Sequence, residues 1–212
     1  MTAREALRSA VGDFYGQSWR LFALNAGMSV SAGAIALVAS FWRAGLLLVV
    51  LLGPLAAALM HCAVTIVRTD DLRLAEAATG LRLHWRRGLE VGALWAAIFL
   101  LGSNAVAFYG RLHGLTWPLA FLSLYVLLLA ALFLLLLLAL AVAEPALALR
   151  QAAARTLELA PTRPRAVLGL GVALMLVNAA GVAAALMPFL TLTVAYTFLA
   201  AARFAIPTEA DA

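Results

Sequence analysis

From Pro118 to Val142 the chain reads PLAFLSLYVLLLAALFLLLLLALAV, an unbroken apolar run without a charged side chain. A bilayer core of about 30 Å is crossed by roughly 20 apolar helical residues, because a helix satisfies its own backbone hydrogen bonds where no water is available. This run is long enough to cross. Working outward, five further stretches meet the same test: Leu21 to Phe41, Leu46 to Val67, Leu89 to Tyr109, Val167 to Met187, and Phe189 to Ile206. The sequence therefore predicts one all-α domain over residues 1–212, an integral membrane bundle of about six transmembrane helices. Pro188 separates the last two stretches and is expected to mark a tight turn. Of the 212 residues, 66% are hydrophobic and 12% charged, whereas soluble domains carry roughly a quarter charged. Lipid has to cover what polar groups cannot.

Charge sets the orientation. All 15 basic residues are arginine. With the N-terminus inside, thirteen of them fall in cytoplasmic regions, and only Arg43 and Arg111 fall outside. Positive charge accumulates on the cytoplasmic side of membrane proteins, so both termini are expected in the cytoplasm and the chain in a bacterial inner membrane. The first apolar run is longer than a signal-peptide core and lacks a convincing cleavage site, so it is read as an uncleaved span. Trp19, Trp42, Tyr109 and Trp117 stand at span ends as interface anchors. A net charge of +5 could suggest nucleic acid, but the arginines lie between apolar runs rather than along a basic stripe with aromatics, which argues against that partner.

Two amphipathic connectors are expected on the cytoplasmic side. In the first, residues 69–88, Leu74, Ala77, Ala78, Leu81 and Trp85 recur at helical spacing, with Arg73, Glu76, Arg82 and Arg86 opposite. Asp70 and Asp71 are placed to cap it, and Arg87 leads into the third span. In the second, residues 144–165, Pro145 is expected to open a helix with Leu149, Ala152, Ala153, Leu157 and Ala160 on one face and Arg150, Arg155 and Glu158 on the other. Pro161 and Pro164 end it, and Arg163 and Arg165 follow. Both read as interfacial helices with arginines toward headgroup phosphates or a partner. Residues 1–20, with Leu7, Val11, Phe14 and Trp19 on one side, read as a third interfacial segment. Span, connector and span thus occur twice, the pattern of a parallel repeat such as transporters contain.

Within the spans the polar residues are few: Asn25, His61, Asn104 and Asn178. Every ionisable Asp, Glu and Arg maps to a helix end, a connector or a terminus, so no proton or ion path is apparent. Glu90 and Glu144, at span ends, are expected to pair with connector arginines. His61 reads as a hydrogen-bonded packing residue, and Cys62, the only cysteine, as a small buried hydrophobe. With no converging metal ligands, nucleophile or base, no cofactor, metal or catalytic residue is predicted, and the chain is not read as an enzyme. Gly53-Pro54 should kink the second span. Gly27 and Ser31, and Gly169, Gly171, Gly181 and Ala185, are expected to pack the first and fifth spans into the bundle. The fourth span, nearly polyleucine from Leu127 to Leu140, is expected to face lipid on much of its circumference.

The Asn25 region, Gly53-Pro54-Leu55-Ala56-Ala57-Ala58-Leu59, the connector ending Trp85-Arg86-Arg87 and the alternation from Leu147 through Arg165 resemble the YesL-like family, bacterial polytopic membrane proteins whose domain has no assigned function. Pro161 and Pro164, and the absence of lysine from the second connector, depart from that family's pattern. The resemblance implies a fold and an accessory role beside carbohydrate ABC importers, without catalytic residues. The expected function is therefore docking of importer subunits, another membrane protein or anionic lipid through the arginine-rich helices. A small-solute transporter or channel is the alternative, and the oligomeric state is left open.

Overall fold

The computed structural model describes residues 2–112, 116–184 and 192–206, with the side chains of all of these but 43, 44 and 46. Among them the regular structure is helical: α1 (Ala3–Gly16), α2 (Ser18–Phe41), a 3-10 segment (Arg43–Leu51), α3 (Leu52–Thr69), α4 (Ala75–Arg111), α5 (Trp117–Ala143), α6 (Leu149–Thr162), α7 (Pro164–Ala183) and α8 (Val194–Ala205). Five helices are long and apolar enough to cross a membrane: α2, α3 with its 3-10 lead from Leu47, α4, α5 and α7. The sixth apolar stretch appears as α8, a shorter apolar helix, and its beginning with the Pro188 turn lies outside the described residues. So does Ala185.

Local chemistry sets several helix ends. Thr2 and Glu5 form a reciprocal capping box at the start of α1, with Thr2 Oγ1 accepting from the Glu5 amide at 3.3 Å and Glu5 Oε2 from the Thr2 amide at 2.7 Å. Pro118 lies in the first turn of α5 and Pro164 opens α7, positions where the missing N–H costs nothing. Pro145 does not open a helix. It lies in the turn after α5, and α6 begins only at Leu149, where Gln151 Oε1 accepts from the Ala148 amide. Asp70 and Asp71 do not cap α4 either. Asp70 closes α3 with φ of 55°, a left-handed conformation that Asp tolerates, and Asp71 accepts from the next amide, that of Leu72, at 2.8 Å.

The first connector is not a separate helix in the interface. It runs without a break into the third span as the 37-residue α4, about 55 Å long at 1.5 Å per residue. Antiparallel to α3, its packed face is Gly80, His84, Gly88 and Gly92, with Val91. The predicted face is split: Leu74, Ala78 and Trp85 are exposed, while Ala77 and Leu81 are half-buried. The reason is backbone approach. A methyl group on Gly88 would stand 2.5 Å from Pro54 Cα, one on Gly92 2.6 Å from the Val50 carbonyl, and one on Gly80 2.7 Å from His61 Cβ. Gly53 meets the Gly88 carbonyl and Gly92 in the same seam. The Gly53-Pro54 pair thus works as a small-residue contact, at the point where the 3-10 segment gives way to α-helix.

The core lies at one half of the bundle. The second half of α5, from Leu134 to Ala143, is its centre, packed by the buried faces of α3 and α8. Thus the polyleucine run is half interior, and only its first half is mainly exposed. Conversely α2, expected inside, buries only Leu21 and Asn25, and a methyl group at Gly27 would meet open space. On α7 Gly171 touches Leu132 of α5. The N-terminal helix packs Ala6 and Ala10 into the core, beside α8, while Val11 stays exposed. Tyr196 of α8 donates to the Leu7 carbonyl at 3.1 Å. The second connector, α6, seats Ala152 against Leu134, Leu137 and Ala141. Since α6 is a separate helix while its counterpart is fused into α4, the two halves are not copies of one shape.

Candidate docking face at the arginine-rich end

The arginines divide into two populations. One is used inside the molecule. The last carbonyls of α5 have no intrahelical partner, and two guanidinium groups supply it: Arg68 donates to Ala143 O at 2.8 Å, and Arg87 to the carbonyls of Ala141, Pro145 and Leu147, the last at 2.7 Å. Positive charge at a helix C-terminus is also favoured by the helix dipole. Arg87 is therefore a cap for α5 and not a headgroup ligand. Arg155 pairs with Glu144 Oε2 at 2.7 Å, the ion pair expected for that carboxylate, while Glu90 is exposed.

A second network ties the chain's distant parts together. Arg203 of α8 donates to Asp13 of α1 at 2.7 Å and lies 3.5 Å from Asp70. Arg20 of α2 donates to Asp71 at 2.7 Å, and the Gln17 side chain to the Asp70 carbonyl at 3.3 Å. Arg20 holds the Asp71 carboxyl below the usual carboxylate range, helped by the Leu72 amide. The ends of α1 and α8, the start of α2 and the α3–α4 turn therefore meet, and the end of α5 joins them through Arg68. The segments bearing Arg20, Arg68, Arg87 and Arg203, which the arginine count assigned to one side, are thus drawn together at one end of the bundle.

The second population is exposed. Arg73, Arg82, Arg86, Arg150, Arg163 and Arg165 point outward and have no ion-pair partner among the described residues. On α4, Arg82 and Arg86 stand one turn apart on one stripe, flanked by Leu83 at 62% and Trp85 at 45% exposure. The glycine seam turns this stripe outward, since the opposite face is pressed against α3.

The intramembrane polar residues are mostly satisfied locally. Asn104 donates to Leu100 O at 2.7 Å, Asn178 donates to Leu174 O and to Thr197 Oγ1 of α8, and Asn25 is fully buried. His61 has neighbours that its sequence position did not reveal. Its ring lies 5.3 Å from that of His84, and its Nε2 3.5 Å from Glu76 Oε2. His84 is 2% exposed, and its Nε2 is buried without a hydrogen-bond partner. Among the described residues no group of three His, Cys, Asp or Glu could hold a metal ion. Only the hairpin register brings these rings together, and a single helix pattern carries no trace of it.

The fold and this face define a class, a multi-pass helical membrane protein with an arginine-bearing end. No family model, curated protein or solved structure matches the chain.

Proposed function

We propose that this chain is a non-catalytic accessory protein of a bacterial inner membrane, both termini cytoplasmic, that docks an acidic surface through its exposed arginines. Its partner is a membrane protein, and the resemblance to the YesL-like family points to an ABC importer subunit for carbohydrate. Anionic headgroups are the competing ligand. The observation that carries the reading is the stripe of Arg82 and Arg86 beside Trp85 and Leu83. Unpaired guanidinium groups next to exposed aromatic and aliphatic side chains are what a docking surface needs, whereas the neighbouring Arg87 spends its donors on the carbonyls of Ala141, Pro145 and Leu147.

The test is Arg73→Gln, Arg82→Gln and Arg86→Gln together, leaving Arg87 in place. Gentle extraction followed by quantitative mass spectrometry should show a stoichiometric companion chain falling at least about five-fold, with unchanged thermal unfolding, because surface charges contribute little to stability. Unchanged recovery of the companion would overturn the reading, as would solute flux into liposomes holding the pure protein. Loss of binding to anionic vesicles with no companion chain in either sample would assign the face to lipid.

A further inference from the structure

Beside the α3–α4 seam, and walled by α2, α3, α4, α5, α7 and α8, lies a cavity of about 760 Å³, within the range of small-molecule sites, about 300–1,000 Å³. Its walls are apolar: Leu52 and Ala56 of α3, Trp95 of α4, Leu135 of α5 and Phe198 of α8 are typical. The polar groups at its edge are largely self-satisfied. Asn178 spends its amide donors on Leu174 O and Thr197 Oγ1, and Thr197 donates to Thr193 O. A water needs two to four polar partners, so these walls do not hold a column of water or a sugar hydroxyl. A void would forfeit dispersion contacts along its whole lining. At the cavity's edge Leu128 and Leu129 of α5 and Val172 and Met175 of α7 are each more than a third exposed, so the opening lies between two spans, where the bilayer's hydrocarbon is.

We propose that this cavity is an acyl-chain site, occupied by one alkyl chain of a membrane lipid that enters between α5 and α7. The site is separate from the arginine face, and it makes the bundle a lipid-filled structure in which α7 leans on a bound chain as well as on protein.

The full-length protein in vesicles of phosphatidylethanolamine and phosphatidylglycerol, doped with phosphatidylcholine carrying a mid-chain diazirine, tests this. After photolysis, adducts should map to the buried wall residues Val91, Leu138, Leu174 and Phe198 as well as to the outward residues Leu101, Leu122 and Val126. Filling the space with Ala131→Phe, or its mouth with Met175→Trp, should lower the wall adducts at least about five-fold and leave the outward ones unchanged. Met175 is half exposed, so its replacement leaves folding intact and keeps the comparison usable if the other variant misfolds. Adducts confined to outward residues, or wall adducts indifferent to filling, would overturn the site. Disulfide-linked dimers of Ala131→Cys in a Cys62→Ala background would put a second copy there and also overturn it.

Discussion

Arg86 and Arg87 are adjacent and chemically identical, yet one faces outward and the other ends α5. The difference is worth several hydrogen bonds. A bond from a charged donor contributes about 1.5–3 kcal/mol, and a carbonyl left buried and unpaired costs about as much. Arg87→Gln should therefore lower unfolding free energy in detergent by about 2–4 kcal/mol, whereas Arg86→Gln should change it by less than about 0.5 kcal/mol. Denaturant titration of the two single variants checks this, and equal effects would remove the capping role. Asp71 makes a prediction about pH. Its carboxyl is held below the ordinary value of 3.8, chiefly by the hydrogen bond from Arg20. A depressed folded-state value means that its stabilisation is fully present above the unfolded value and fades as pH falls through the lower folded one. The melting temperature of Asp71→Asn should thus lie below that of the parent at pH 7, with the gap closing in acid below the usual carboxylate range. A gap that persists there would mean that the charge is not what matters.

At the scale of elements, the α3–α4 hairpin is held by a seam with no room for side chains. Gly88→Ala would drive a methyl group to 2.5 Å from Pro54 Cα, and overpacking of this kind costs about 1–3 kcal/mol. The loss should appear as lower thermal stability, while Gly27→Ala in α2, facing open space, should be neutral or slightly stabilising because alanine favours helix. Thermal melts of the two variants side by side decide it. Past this seam α4 runs on unbroken from connector to span. Spin labels on Ala78→Cys and Phe108→Cys, both exposed sites, should lie about 45 Å apart in a Cys62→Ala background, from 1.5 Å of rise per residue. A connector bent flat at Gly88 would bring them markedly closer in a pulsed dipolar measurement.

At the scale of the whole molecule, the polar network joining Asp13, Arg20, Asp70, Asp71 and Arg203 fixes which helix ends share a side. In a Cys62→Ala background, single cysteines at Arg8→Cys and Arg163→Cys should react with a membrane-impermeant maleimide from the same side, and Arg111→Cys from the other. Labelling of Arg8→Cys and Arg111→Cys from one side would refute the arrangement. The membrane class, the five long apolar helices and the drawing together of several arginines at one end were legible in the chain, because apolar length and charge asymmetry report directly on transfer between lipid and water. Which face of each helix is buried was not legible. Leu134 to Ala143 became the core and Gly27 did not, since leucine is equally at home against lipid or protein, and only close approach of backbones sorts the two. Nor could composition tell Arg87 from Arg86, or place His84 beside His61. Those assignments depend on the carbonyl, ring or open space that the fold brings within a few ångströms, and that is a property of tertiary structure alone.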